Sequence, residues 1–290
     1  MDQQATENRA EDVVTPQGGP GCGCKAPAEG GGVGAPQHVY AIGRIEPRFQ
    51  SLSVEREVAQ VIGRTDTGGM TDRQTLHAVL AEPKNRYLAR RICWVLTIEG
   101  LETYLLQPRD PGDIGLLVEA VRPSPRPVDV DVVIGRRGPI APSQMCNGLM
   151  VPIVTIEQLY SFHVDQLLEA IPRPEGAPEE AFRASAEELF WRVMQLADNA
   201  GAIDEHRALN YLLVRYPAVY ATTHDYHRRS YSLSGVDVRP SRLSGLRKVV
   251  DVVFSFNNRQ TDVVEKHFVR VDVTEEFPFL VSKIAPFYDR

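Results

Sequence analysis

Hydrophobic positions along this chain fall into short, dense runs divided by turn residues. The densest is Ile92–Ile98, ICWVLTI. A run this short, nearly all β-branched, aromatic or aliphatic, is far below membrane-spanning length and fits a strand buried on both faces. Glu99-Gly100 interrupts it and Thr103–Leu106 resumes it, which predicts a hairpin with Trp94 at the centre of a core. His38–Gly43 reads as an earlier strand ended by Glu46-Pro47, and Val128–Ile134 and Leu149–Ile156 as later ones. Helical spacing predicts a Ser53-capped helix with Val54, Val58, Val61 and Ile62 on one face. It predicts a second from Thr71-Asp72 to Pro83, a third opened by Pro111-Gly112-Asp113, and a short one over Val164–Ile171.

Past the Pro/Gly-rich stretch 172–178, a candidate subdomain linker, Glu179–Asp198 is strongly amphipathic. Another helix starts at Asp204 and breaks near Pro217. The last sixty residues or so alternate like strands: Val236–Val238, Val249–Phe256, Val263–Val273 and Phe279–Val281. The pattern predicts an α+β (mixed α/β) fold: a central sheet with flanking helices, then two helices and a C-terminal antiparallel meander.

Residues 1–36 differ in kind. They hold eight of the 22 glycines and no aromatic residue, so they read as a disordered tail ahead of a domain over 37–290. A formal net charge of −6 with no Lys/Arg-rich run argues against nucleic acid. The acidic, polar N-terminus has no signal-peptide character and no stretch reaches membrane-spanning length. A cytoplasmic protein with its four cysteines reduced is therefore expected.

Candidate chemistry is sparse. Cys22-Gly23-Cys24 in the tail offers two thiolates to a soft metal such as zinc, with further ligands from elsewhere. His224 and His227, three apart on a helix, share a spacing that zinc sites use, although a basic surface helix end explains them too. Arg136-Arg137 between Gly135 and Gly138 could grip an anion by forked hydrogen bonds, or sit in a solvated turn. Cys146, beside the Asn147-Gly148 turn, could act as a nucleophile only with a histidine against it. No P-loop, G-x-G-x-x-G, H-E-x-x-H or G-x-S-x-G occurs. By chemistry alone the chain reads as a binding or accessory domain without a cofactor.

The strings VYAIGRIEPRF, SLSVEREVAQ, NRYLARRICWVLTIEGLETYLLQPRD, DVDVVIGRRGPIAP, MCNGLMVPIV and VRVDVTEEFPFLVSKIAPFYDR carry a resemblance. They are similar to the C-terminal domain of unknown function in the cyanobactin-maturation proteases PatA and PatG, from about Val39 to Arg290. None of the motifs of those proteases' subtilisin-like domain is present, so protease and macrocyclase activity is not implied. The resemblance implies a stand-alone accessory domain for ribosomally made, post-translationally modified peptides, binding a precursor peptide or a maturation enzyme, with a homodimer as a further option. An exposed strand edge of the C-terminal meander is the expected route of peptide binding. The competing expectation is a peptide-modifying enzyme using Cys146, Arg136-Arg137 or His224/His227, with zinc.

Overall fold

In the computed structural model, five strands close a barrel: β1 (Gln37–Phe49), β2 (Ile92–Ile98), β3 (Leu101–Gln107), β4 (Asp129–Ile140) and β5 (Pro152–His163). The structure describes residues 37–288 apart from 65–67, 127, 174–175 and 197. The predicted tail, with Cys22 and Cys24, therefore lies outside the described residues. Around the barrel the order is β1-β2-β3-β5-β4, with β3 and β5 parallel and the other neighbours antiparallel.

The predicted hairpin is present as β2–β3, turning through Glu99 (φ 51°) and Gly100 (φ 83°). Trp94 is buried and donates its indole N–H to the Ala89 carbonyl at 3.2 Å. β1 does not stop at Glu46-Pro47 but changes neighbour. Residues 37–43 pair with β4 and residues 44–49 with β2. Pro47 lies on a stretch paired on one side only, where a missing N–H is tolerated. Alternation then sends Val39 and Ala41 into one core cluster, with Trp94 and Leu96, and Tyr40 and Ile42 into another.

Four helices follow the first face: α1 (Leu52–Ile62), α2 (Asp72–Ala81), α3 (Arg86–Ala89, after a 3-10 turn at Pro83–Asn85) and α4 (Asp113–Ala120). The cap of α1 is Ser51 rather than Ser53, its side chain accepting from Val54 N. Thr71 caps α2 in a reciprocal box with Gln74. The second face is covered by α5 (Val164–Ala170), α6 (Glu179–Leu196), α7 (Asp204–Arg215) and α8 (Pro217–Arg228). Pro217 takes the first position of α8, ending α7 in a clean break. Ile171 and Phe182 share one buried cluster, so 172–178 joins two helices and marks no domain boundary.

The C-terminal meander is β6 (Tyr231–Pro240), β7 (Val249–Asn258) and β8 (Val264–Asp272), with two short strands, β9 (Phe279–Leu280) and β10 (Ala285–Pro286), on the far side of β8. β6 is longer than the alternating run Val236–Val238 because Tyr231 and Leu233 continue the pairing past a bulge before Gly235. Buried Arg207 of α7 ties this sheet to the helices. It donates to the carbonyls of Val273 at 2.8 Å, Glu276 at 3.2 Å and Glu275, and meets Asp204 at 3.1 Å.

The α6–α7 loop completes the barrel's outer edge. Tyr40 N donates to Gly201 O at 3.1 Å and Ile42 N to Asn199 O at 2.9 Å, while Asn210 of α7 donates to Tyr40 O at 2.7 Å. Gly201 sits at φ +56°, and a Cβ there would strike the Tyr40 carbonyl. Elsewhere Cys93 of β2 and Cys146 are joined by a disulfide, Cα–Cα 6.1 Å and 53 residues apart. The cysteines were expected to be reduced; this pair meets because the β4–β5 loop folds back over β2 with Ala141 and Leu149.

Three stability outcomes are expected. Gly201→Ala should lower the unfolding free energy by about 2–4 kcal/mol in urea titrations, combining the left-handed backbone with a clash. Gly100→Ala, with open space around it, should cost about 1 kcal/mol. Reductant should lower stability by up to about 4 kcal/mol, the loop-entropy value for a bridge of this separation, and a Cys93→Ala/Cys146→Ala variant should show no such response.

Candidate functional site

Where β1 leaves β4, two aspartates of β4 are buried. Asp131 takes over from the ladder: its Oδ2 accepts from Ile45 N at 2.7 Å, and its Oδ1 accepts from Ser161 at 2.6 Å and meets Arg122 Nη1 at 3.1 Å. Asp129 accepts from Arg126 N at 2.7 Å, pairs with the His163 imidazole opposite it on β5, and has Arg122 Nε at 3.7 Å. Burial pushes the Asp131 carboxyl above the usual carboxylate range, and Arg122 opposes that shift. Arg122 itself holds φ 38° just past α4, a position where glycine is normally favoured. Its side chain also donates to the carbonyls of Ala120 and Val130 at 3.3 Å each. From this position its guanidinium group approaches both aspartates.

Beside this cluster lies a cavity of about 590 Å³. Its walls come from β1 (Ile42, Gly43, Arg44, Glu46), the β2–β3 turn (Thr97–Gly100), the start of β4 (Asp129, Val130), the end of α6 (Trp191, Met194, Gln195) and Asn199. Ile42, Ile98 and Val130 form an apolar floor, with half-buried Trp191 and Met194 beside them. Glu46 is paired with Arg73 at 2.7 Å. Asn199 is buried, spends its Nδ2 on Met194 O at 2.8 Å, and leaves Oδ1 without a hydrogen-bond partner. The arrangement is a concave apolar site with a few fixed polar groups, built on strands and one helix.

The residues singled out from sequence lie elsewhere and apart. Cys146 is fully buried, bonded to Cys93 and packed with Ala141 and Leu149. Arg136 and Arg137 stand on β4, not in a turn, and Gly135 is required because a Cβ would strike the Thr155 carbonyl at a bulge. Arg136 grips Glu157 (Nε at 3.0 Å, Nη2 at 2.5 Å), which Arg109 also contacts, and these hydrogen bonds hold the Glu157 carboxyl below its usual range. Arg137 reaches Gln37 at 3.4 Å.

His224 is not at a surface helix end. It is fully buried between α6 and α8, its Nδ1 2.9 Å from Ser185 Oγ and its ring edge-on to Phe182. Ser185 gives its own proton to Phe182 O at 2.8 Å, so the imidazole donates through Nδ1. His227 points to the rim, 4.0 Å from Glu188. Among the described residues no group of three His, Cys, Asp or Glu could hold a metal ion.

Tyr226 of α8 and Tyr231 at the start of β6 form a satisfied cluster. Tyr226 and Tyr231 donate to Glu265 at 2.8 and 2.7 Å, and Arg229 lies over both rings. Sequence reasoning missed the cavity, because Trp191 and Met194 have ordinary helical-core spacing. Its one local signal is Glu99-Gly100, a tight turn carrying Glu where Asn or Asp is preferred.

A barrel joined through helices to an antiparallel meander defines an α+β domain, and the comparisons place it. The fold is that of a solved structure described as "PatG Domain of Unknown Function": TM-score 0.70 and 21% identity, over 87% of this chain and 98% of that one. Residues 176–287 match the family described as PatG C-terminal, and the fold over most of the chain is that of the solved PatG domain. The sequence match is narrower than the resemblance from Val39 onward, while the structural match spans both halves. No curated protein sequence matches the chain. Among the described residues no helix is long and apolar enough to cross a membrane.

Removing Arg122 tests the buried cluster. Arg122→Gly relieves the left-handed strain but removes the cation beside buried Asp131, and should lower stability by about 2–4 kcal/mol in urea titrations. Asp131, whose folded-state carboxyl already sits above its unfolded value, then favours the protonated form further. Stability tied to a raised carboxyl is present at low pH and lost as pH rises through the folded value. The Arg122→Gly deficit should therefore be smaller at pH 5 than at pH 8, and Asp131→Asn should reduce it at pH 8.

Proposed function

We propose that this domain is a binding module for an extended peptide segment, serving as an accessory part in the maturation of ribosomally made, post-translationally modified peptides. Its partner is a precursor peptide or the maturation enzyme that handles one. The cavity between β1, the β2–β3 turn and α6 carries this reading. Its apolar floor and few polar groups are what side-chain recognition needs, and its walls stand on regular elements held by the barrel. The scatter of Cys146, Arg136-Arg137 and His224/His227 over three regions supports binding over a peptide-modifying centre built from them.

The strand edge is the weaker route. β6 is the open edge of the meander and pairs with β7 alone. It carries a bulge before Gly235, exposed Asp237 and Arg239, and Pro240 at its end. These are the features by which edges resist strand addition.

An array of immobilised capped octapeptides, probed with the labelled full chain, tests the reading. Met194→Trp fills the cavity from a half-buried position and should leave the melting temperature within a few degrees. A subset of peptides should bind the parent chain and lose about tenfold or more in affinity for the variant. No binding above background, or binding that Met194→Trp leaves intact, would overturn the proposal.

A further inference from the structure

We infer that the β4–β5 loop is a redox-operated cover: the Cys93–Cys146 bridge locks it over the outer face of β2–β3, and reduction of the bridge opens that face. Among the described residues none of this loop lines the cavity above, so the cover and the peptide reading stand or fall separately.

The covered face is apolar where a solvated barrel wall is polar. Trp94, Leu106 and Val154 belong to the barrel's interior cluster, so their neighbours Cys93, Val95, Leu105 and Ile153 face outward. They meet Ala141, Met145, Cys146, Leu149 and Val151 of the loop. A closed barrel ordered β1-β2-β3-β5-β4, with a helix between β3 and β4, has the Greek-key arrangement of the OB fold. Barrels of that kind take ligands on the β2–β3 face beside the β4–β5 loop, an analogy that locates a site here without naming its ligand.

Little besides the bridge holds the loop down by a directed bond. Its backbone hydrogen bonds close within the loop: Met145 N to Pro142 O at 2.9 Å, Gly148 N to Ser143 O at 2.8 Å and Leu149 N to Cys146 O at 3.0 Å. Toward the strands beneath, Arg48 of β1 donates to Asn147 O at 3.3 Å from an exposed position. The bridge is the one covalent tie between loop and sheet among the described residues. Once reduced, Cys93 offers Met145 O only a weak S–H donor, 3.8 Å away.

Of the two cysteines Cys93 is the nearer to solvent, 7% exposed against 0% for Cys146. It borders a surface pocket of about 170 Å³ with Gln50, Arg90 and Met145. Exposed Arg90 draws an incoming thiolate to that side. The thiolate of a dithiol reductant attacks Cys93 Sγ, the bridge breaks, and Cys146 leaves as a thiolate that takes up a proton. The reductant's second thiol then displaces Cys93, which is protonated in turn, and the reductant departs as its disulfide. Two electrons have then passed to the protein, and both cysteines end as thiols.

The test is hydrogen exchange, read by mass spectrometry on the full chain before and after millimolar dithiothreitol, with titration of an apolar fluorescent dye alongside. Reduction should speed exchange over residues 141–151 by about tenfold or more, leave α7 and β7 protected, and raise dye fluorescence severalfold. The Cys93→Ala/Cys146→Ala variant should show the open state with or without reductant, its melting temperature reporting that the domain stays folded. Free thiols at both cysteines in the purified chain, or a bridge that survives dithiothreitol in the folded protein, would overturn the inference. So would exchange and dye binding that reduction leaves unchanged. Acceleration spread evenly over 141–151, α7 and β7 would also overturn it, by making the bridge a staple of the whole domain.

Discussion

β1 is longer than either of its neighbours can pair, and much of the structure depends on how its unpaired edges are covered. Its first half is held by β4 and its second by β2, so each half leaves one edge open. The amides of Tyr40 and Ile42 face the side where β2 has already ended, inside the layer shared with α6 and α7. Left without acceptors in that interior, each would cost about 1–3 kcal/mol. The carbonyls of Gly201 and Asn199 meet them, and Asn210 meets the carbonyl of Tyr40. The helical layer thus packs on the barrel and also finishes its hydrogen bonding, which couples the two halves of the chain more tightly than apolar contact alone.

The other consequence of the same change of neighbour lies at the opposite edge. Beyond Gly43, β1 has no β4 partner, and the Asp131 carboxylate substitutes for the missing ladder at Ile45. A buried carboxylate needs a cation, and Arg122 supplies it from a backbone position that arginine rarely holds. The gap left between the diverging strands is the cavity, floored by residues of β1 and β4 and closed by α6. Cavity and charge cluster thus share one origin in the register of β1.

Much of the architecture was legible in the sequence. The β2–β3 hairpin, the Thr71 cap of α2, the break at Pro217 and the C-terminal meander each rest on local signals: alternation, a capping residue, a missing N–H or a turn dipeptide. The readings that failed shared a dependence on remote partners. Glu46-Pro47 and Gly135–Gly138 carry turn residues, yet both stretches continue as strands because β2 or β5 lies alongside. Gly135 is needed for close approach to Thr155, not for a left-handed backbone. His224 and His227 share a helix, but α6 packs over one and leaves the other at the rim.

The sequence by itself determined the elements, their order and the α+β class, because helix and strand periodicity is a property of neighbouring residues. It also determined which stretches must be buried. Only the tertiary structure decided the closed barrel, the Cys93–Cys146 pairing and the cavity. Each of these joins residues roughly fifty to more than one hundred and fifty positions apart: Cys93 with Cys146, Glu99 with Trp191, and Ile42 with Asn199. No local pattern encodes such a meeting. It is fixed by where β1 exchanges one neighbour for another and by which backbone groups that exchange leaves to be satisfied.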